Sequence, residues 1–278
     1  MISTLPITQH DQSRGGGVFD YISPSRLGLW LRCPLAWKFR YVDGIRTPTT
    51  PALFLGQRCH AGLEAYYRHR MLGVTLSADD VLTRMDAAWA EAASEEEIEF
   101  ASPAEETALK TQAGDLVRAY LQQVPGDEPR PLAVEATMES PLIDPMSSED
   151  LGVPLLGIVD LVLPGEEGPT IIDFKTSSRS APPLEISHEI QLTSYAWLYR
   201  QLTGQQEAEL EIRSLIKTKT PKVETHCYPA RTHEHFNRLF AVVREYLAAL
   251  DTGRFTFRPG WGCAMCEYRE RECRAWSG

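Results

Sequence analysis

The chain has 278 residues, 43% of them hydrophobic, enough apolar material for a buried core in one large domain or two small ones. No apolar run approaches the roughly 20 residues that span a bilayer, and the first twenty residues are polar and glycine-rich, so a soluble, cytoplasmic protein with no membrane partner is expected. The net charge of -10 does not exclude a polyanionic partner, because it is unevenly spread: residues 21–76 hold eight Lys/Arg against two Asp/Glu and residues 217–278 eleven against seven, while residues 77–150 hold four against eighteen.

Residues 1–20, with Gly15-Gly16-Gly17, read as a disordered leader. Ser23 or Ser25 caps a helix from about Arg26 that carries Trp30, Cys33, Trp37 and Tyr41 and stops at Asp43-Gly44. A second helix runs from about Ala52 to Leu72 before Gly73. Ser77 opens a third, acidic helix, and Ser102-Pro103 opens a fourth that reaches about Val124. Short β-favouring runs follow at Leu132–Ser140, Leu155–Leu163, Thr170–Lys175, Glu207–Ile216 and Val223–Tyr228, with helices at about Ser187–Leu202 and Thr232–Leu250. This order predicts an α/β (α+β) fold, a mixed central sheet flanked by helices behind an N-terminal helical region.

The runs Leu155–Leu163 and Thr170–Lys175 flank Gly165-Glu166-Glu167-Gly168 and read as an antiparallel hairpin. A regular register about that turn sets Asp160 opposite Asp173, with Cβ atoms about 5 Å apart. Alternation puts Ile171 and Lys175 on the Asp173 face and turns Ile172 and Phe174 away. Opposed carboxylates repel. Mg²⁺ or Mn²⁺ would neutralise them, hold a phosphate oxygen and lower the pKa of a bound water, while Lys175 orients that water and balances charge on the phosphate. A salt bridge on a solvated hairpin is the plainer alternative.

The segments Gly157-Ile158-Val159-Asp160 and Ile171-Ile172-Asp173-Phe174-Lys175-Thr176 resemble the core of the PD-(D/E)xK nuclease superfamily in its RecB-like branch. Leu55-Gly56-Gln57-Arg58-Cys59-His60, with Glu64 one turn on, is similar to the upstream helix that carries a metal-binding histidine in that branch. Gln191-Leu192-Thr193-Ser194-Tyr195 is similar to its Gln-x-x-x-Tyr motif. One departure is Val159 where the superfamily name has proline. The resemblance spans about residues 25–275 and implies a restriction-endonuclease-like fold. It also implies that His60, Asp160, Asp173 and the Phe174 carbonyl bind the divalent metal, that Asp160, Asp173 and Lys175 are catalytic, and that Gln191 and Tyr195 touch DNA or brace the site. Residues 21–278 would then be one nuclease domain: a helical part at 21–130, a sheet core at 131–250 and a cysteine-rich clasp at 251–278.

Six cysteines in a chain with no secretion signal read better as metal or cluster ligands than as disulfides. Cys263, Cys266 and Cys273 fall within eleven residues, and Cys33-Pro34 lies far upstream. Some RecB-like members hold an iron-sulfur cluster with one N-terminal and three C-terminal cysteines, so the resemblance implies a [4Fe-4S] site here. On spacing alone, zinc competes for the same thiolates. Cys59 and Cys227 are expected to be packed.

The function that follows is metal-dependent hydrolysis of DNA phosphodiesters, most naturally an exonuclease on ends or single strands, with a role in DNA repair, recombination or CRISPR spacer processing and a helicase or other repair or adaptation proteins as partners. A catalytically inactive DNA-binding or scaffold protein of the same fold is the alternative. Lys217–Lys222 makes a basic turn that could grip phosphates, and Arg26, Arg32, Lys38 and Arg40, interleaved with Trp30, Trp37 and Tyr41, could line a strand channel unless those aromatics pack in the core.

Overall fold

Four of the five N-terminal helices begin at a residue whose side chain takes up a free amide. In the computed structural model, which describes residues 17, 18, 20–180 and 185–276, helix α1 (Pro24–Arg32) is capped by Ser23 and α3 (Pro51–Met71) by Thr50. A reciprocal Ser77–Asp80 capping box starts α4 (Ala78–Glu95), and Ser102 starts α5 (Pro103–Leu121). The single first helix expected from the sequence is two. Cys33 is extended (φ -163°, ψ 109°) and separates α1 from α2 (Pro34–Tyr41), because the ring of Pro34 disfavours helical geometry in the residue before it. The expected leader falls almost wholly outside the described residues.

Five strands follow: β1 (Ala133–Ile143), β2 (Asp150–Leu163), β3 (Thr170–Ser177), β4 (Glu209–Ile216) and β5 (Lys222–Pro229). They form one sheet in the order β1-β2-β3-β4-β5. All neighbours are antiparallel except β3 and β4, which are parallel and joined through α6 (Glu185–Thr203). Helix α7 (His233–Thr252) follows β5 and ends at Gly253, whose φ of +62° suits a left-handed cap. A 3₁₀ turn (Trp261–Met265) and a π-helical turn (Arg269–Cys273) carry the C-terminal cysteines.

The sheet is covered on both faces. On one, α1, α2, α6 and α7 pack against Val159, Ile171 and Ile212; on the other, α3, α4 and α5 pack against Leu161, Ile172 and Phe174. Burial on both sides explains why β3 reads Ile-Ile-Asp-Phe and not as an apolar-polar alternation, and why a charged residue inside it stands out. The architecture is the expected mixed sheet flanked by helices. No helix among the described residues is long and apolar enough to cross a membrane.

Candidate active site

The hairpin keeps the register read from its turn, with Leu161 opposite Ile172, Val162 opposite Ile171 and Leu163 opposite Thr170. One step further would pair Asp160 with Asp173, and there the regular pairing stops. The Phe174 N–H donates to Asp160 Oδ2 (2.7 Å), so a side chain takes up an amide at the point where the strands part.

The same break occurs on the other side of β2. Val134 pairs with Leu161 and Ala136 with Val159, which brackets Glu135 opposite Asp160. Glu135 has φ +45°. A non-glycine residue in this region costs about 1–3 kcal/mol and persists where its surroundings fix it. The alternation of both strands slips there. Ala133 and Ala136, three apart, pack on the α6 side while Val134 packs on the α3 side; Val159 and Val162 likewise pack opposite to Leu161. Glu135, Asp160 and Asp173 therefore stand in one row across three neighbouring strands. Glu135 escaped the sequence reading. Its signal is an acid interrupting Leu132-Ala133-Val134 and Ala136, but its meaning depends on the pairing of β1 with β2.

His60 reaches the row from α3. Its Nδ1 is 3.6 Å from Asp160 Oδ2, and the Phe174 ring meets it edge-on at 6.2 Å. Burial holds the imidazole below its ordinary pKa; Asp173 opposes this and Lys175 adds to it. Ligand atoms of His60, Glu135 and Asp160 all lie within 4.8 Å of one another. One nitrogen and two carboxylate oxygens at that spacing fit a divalent cation. Asp160 is held well above the ordinary carboxylate range by burial, then by Asp173 and Glu135, against the Phe174 N–H and Lys175. Glu135 is pushed up to about 7 by burial and by Glu64, with Arg68 opposing. Two neighbouring acids resist ionisation where added positive charge would relieve them.

Asp173 is only 2% exposed, and both its oxygens have company. Gln191 Nε2 on α6 donates to Oδ1 (2.9 Å) and lies 2.8 Å from the Tyr195 hydroxyl, while Lys175 Nζ is 2.7 Å from Oδ2. The four-residue spacing of Gln191 and Tyr195 puts both on one helical face. Tyr195 is buried, so in this arrangement it braces the carboxylate row through Gln191. Glu64 binds Arg68 on its own helix (2.6 Å). A cleft of about 520 Å³ opens over His60, Glu64, Glu135, Phe174 and Lys175. The basic turn at Lys217–Lys222 starts beside the C-terminal end of β3, where the Lys217 N–H bonds the Ser177 carbonyl (2.7 Å).

At the break between α1 and α2, Cys33 joins Cys263, Cys266 and Cys273 around a cavity of about 220 Å³. Burial and the proximity of the other three thiols raise the Cys273 pKa. The two ends of the chain are tied there by Leu35 N–H to the Thr256 carbonyl, Arg258 to the Leu31 carbonyl and the Tyr268 hydroxyl to the Ile45 carbonyl. Cys59 is buried as expected. Cys227, expected to be packed, is exposed, because it lies on β5 at the edge of the sheet. Trp30 and Trp37 do not line a channel: both are buried, and each packs edge-on against Tyr246.

The PD-(D/E)XK nuclease superfamily profile matches residues 21–274. Among solved structures, a "Putative exonuclease" from Eubacterium rectale aligns with TM-score 0.62 and 14% identity, over 98% of this chain and 95% of that one. A second, SSO0001, aligns with TM-score 0.43 and 12% identity, over 93% of this chain and 88% of that one. Among curated proteins none matches the sequence.

Proposed function

Because the chain belongs to the PD-(D/E)XK nuclease superfamily, we propose that it is a divalent-metal-dependent deoxyribonuclease of the RecB-like branch that degrades DNA from ends or as single strands. The observation that carries the reading is the meeting of a histidine, a row of buried and half-buried carboxylates and one lysine at the parting of β2 and β3. The description of the Eubacterium rectale protein as an exonuclease agrees with the choice of end-directed attack, which is otherwise a proposal.

Asp160, Asp173, His60 and the Phe174 carbonyl would hold Mg²⁺ or Mn²⁺, which supplies a polarised phosphate oxygen and a water of lowered pKa. The protein's own groups do the rest. Gln191 fixes one oxygen of Asp173, and Lys175 carries positive charge at the other, where it can orient a water and offset charge gathering on the phosphate. Tyr195 restrains the Gln191 amide. The basic turn at Lys217–Lys222 lies where it could draw phosphates toward Lys175. DNA repair, recombination or CRISPR spacer processing, beside a helicase or adaptation proteins, is the setting that such an activity would serve.

For the four cysteines we assign a [4Fe-4S] cluster in preference to zinc. The four thiols line one cavity, which could take either group, and the preference rests on the resemblance to the RecB-like members that hold such a cluster. The cluster would join the helical part and the clasp of residues 251–278 to the sheet core in one domain.

The test is digestion of end-labelled linear and of circular DNA, single- and double-stranded, with Mg²⁺ or Mn²⁺, by the wild type and Asp173→Ala. The expected result is cleavage of linear substrates by the wild type, resistance of circles and no cleavage by the variant. Cleavage of circles would overturn the end requirement. DNA binding by a wild type that cleaves nothing with either metal would replace the nuclease by a scaffold.

A further inference from the structure

We propose that Glu135 is a direct ligand of the divalent cation, so that His60, Glu135 and Asp160 grip the ion from two strands and a helix and Asp173 stands at the far end of the row. This inference rests on the metal-dependent reading above and adds a carboxylate that the sequence motif did not contain.

Three independent observations converge on Glu135. The first is reach: its carboxylate lies within 4.8 Å of ligand atoms of both His60 and Asp160. The second is backbone. The bracketing pairs Val134–Leu161 and Ala136–Val159 hold the strands in register, yet Glu135 itself turns to φ +45°, and the phase slip of β1 re-aims its side chain. A non-glycine residue held at positive φ beside a cleft is a recurrent feature of functional sites. Asp160 sits at a matching slip in β2, so the irregularity brings two acids together where a regular ladder would have kept both strands paired.

The third observation is the lack of a protein partner. Among the described residues, no hydrogen bond or ion pair to the Glu135 carboxylate is made, and Arg68, the cation that acts on it, is bound to Glu64 at 2.6 Å. Lys175 is already at Asp173. A partly buried carboxylate beside a second one, with the nearby cations engaged elsewhere, leaves the pair under-neutralised. A divalent ion supplies two positive charges at that point, and its preference for oxygen donors with an admixed imidazole matches the set.

The experiment is a titration of the whole chain, free of DNA, with Mn²⁺ alone, followed by calorimetry or by loss of the free-ion electron spin resonance signal. The wild type, Glu135→Gln, Asp160→Asn and, as a control, Glu166→Gln in the β2–β3 turn are compared. Melting temperatures are recorded in chelator for each. If Glu135 is a ligand, Glu135→Gln weakens Mn²⁺ binding at least tenfold while its metal-free melting temperature equals or exceeds that of the wild type, and Glu166→Gln binds normally. Glu135→Gly, which also releases the left-handed backbone, melts higher still without metal and binds Mn²⁺ no better than Glu135→Gln. Affinity of Glu135→Gln within twofold of wild type, with Asp160→Asn impaired, overturns this inference and leaves the nuclease reading standing. Affinity lost only in step with metal-free stability overturns it too. A wild type that binds no Mn²⁺ overturns both.

Discussion

Gln191→Ala should slow cleavage and leave DNA affinity nearly unchanged. Its amide donates at 2.9 Å to Asp173, a carboxylate only 2% exposed, and lies 2.8 Å from the Tyr195 hydroxyl, itself buried. A hydrogen bond to a charged group contributes about 1.5–3 kcal/mol, and removing it leaves Asp173 free to swing from the position that Lys175 and the metal require. At about 1.4 kcal/mol per tenfold, that is a fall in kcat of about 10- to 150-fold. Tyr195→Phe loses only a neutral partner of the same amide, about 0.5–1.5 kcal/mol, or about 2- to 12-fold. Because Tyr195 acts through Gln191, the double variant should be no slower than Gln191→Ala alone. Single-turnover cleavage of labelled linear DNA at saturating Mn²⁺ gives the rate, and anisotropy with Ca²⁺ in place of Mn²⁺ gives affinity. A tenfold weaker DNA affinity for Gln191→Ala with its rate intact would refute the argument, since the amide would then be a DNA contact.

Glu135 is held above its ordinary value of 4.5, at about 7, so the folded chain binds more protons than the unfolded one between those values. Its contribution to metal-free stability is fully present below pH 4.5 and lost as the pH rises through 7; the melting temperature of the wild type in chelator, relative to Glu135→Gln, should therefore fall from pH 5 to 7, and a flat difference would contradict the raised pKa. Cys33→Ser should abolish the visible absorption and bound iron of anaerobically purified protein and lower its melting temperature, with a loss of about 2 kcal/mol corresponding to about 4–8 °C; colourless wild-type protein with one zinc per chain would point to the other metal. Gly157→Ala puts a Cβ 2.8 Å from Leu198 Cδ1 and 3.4 Å from Tyr195 Cε1, so it should cost about 1–3 kcal/mol in urea unfolding and also slow cleavage by shifting α6. Full stability there would mean that the strand and helix yield more easily than their packing implies.

Features set by neighbours in the chain were legible in the sequence. Ser77 ahead of Asp80 and Ser102 before Pro103 fix helix starts through local hydrogen bonds, and the observed helices begin there. The glycine-bounded turn at Gly165–Gly168 fixed the β2–β3 register, and with it the approach of Asp160 to Asp173. The break at Cys33 follows from Pro34, although the apolar periodicity runs on through both helices.

Contacts between distant segments were decided only by the tertiary structure. Glu135 meets Asp160 because β1 and β2, joined through a turn that returns Ile143 to Asp150, slip phase together, and no local propensity records that slip. Gln191 finds Asp173 because the parallel crossover lays α6 across β3. Cys227 is exposed because β5 is an outer strand, a fact about sheet order rather than about cysteine. In each case the sequence specified the residue's chemistry and the element that carries it, while its partner was selected by how two buried faces pack on one sheet, an energy summed over the whole core and held by no single stretch of chain.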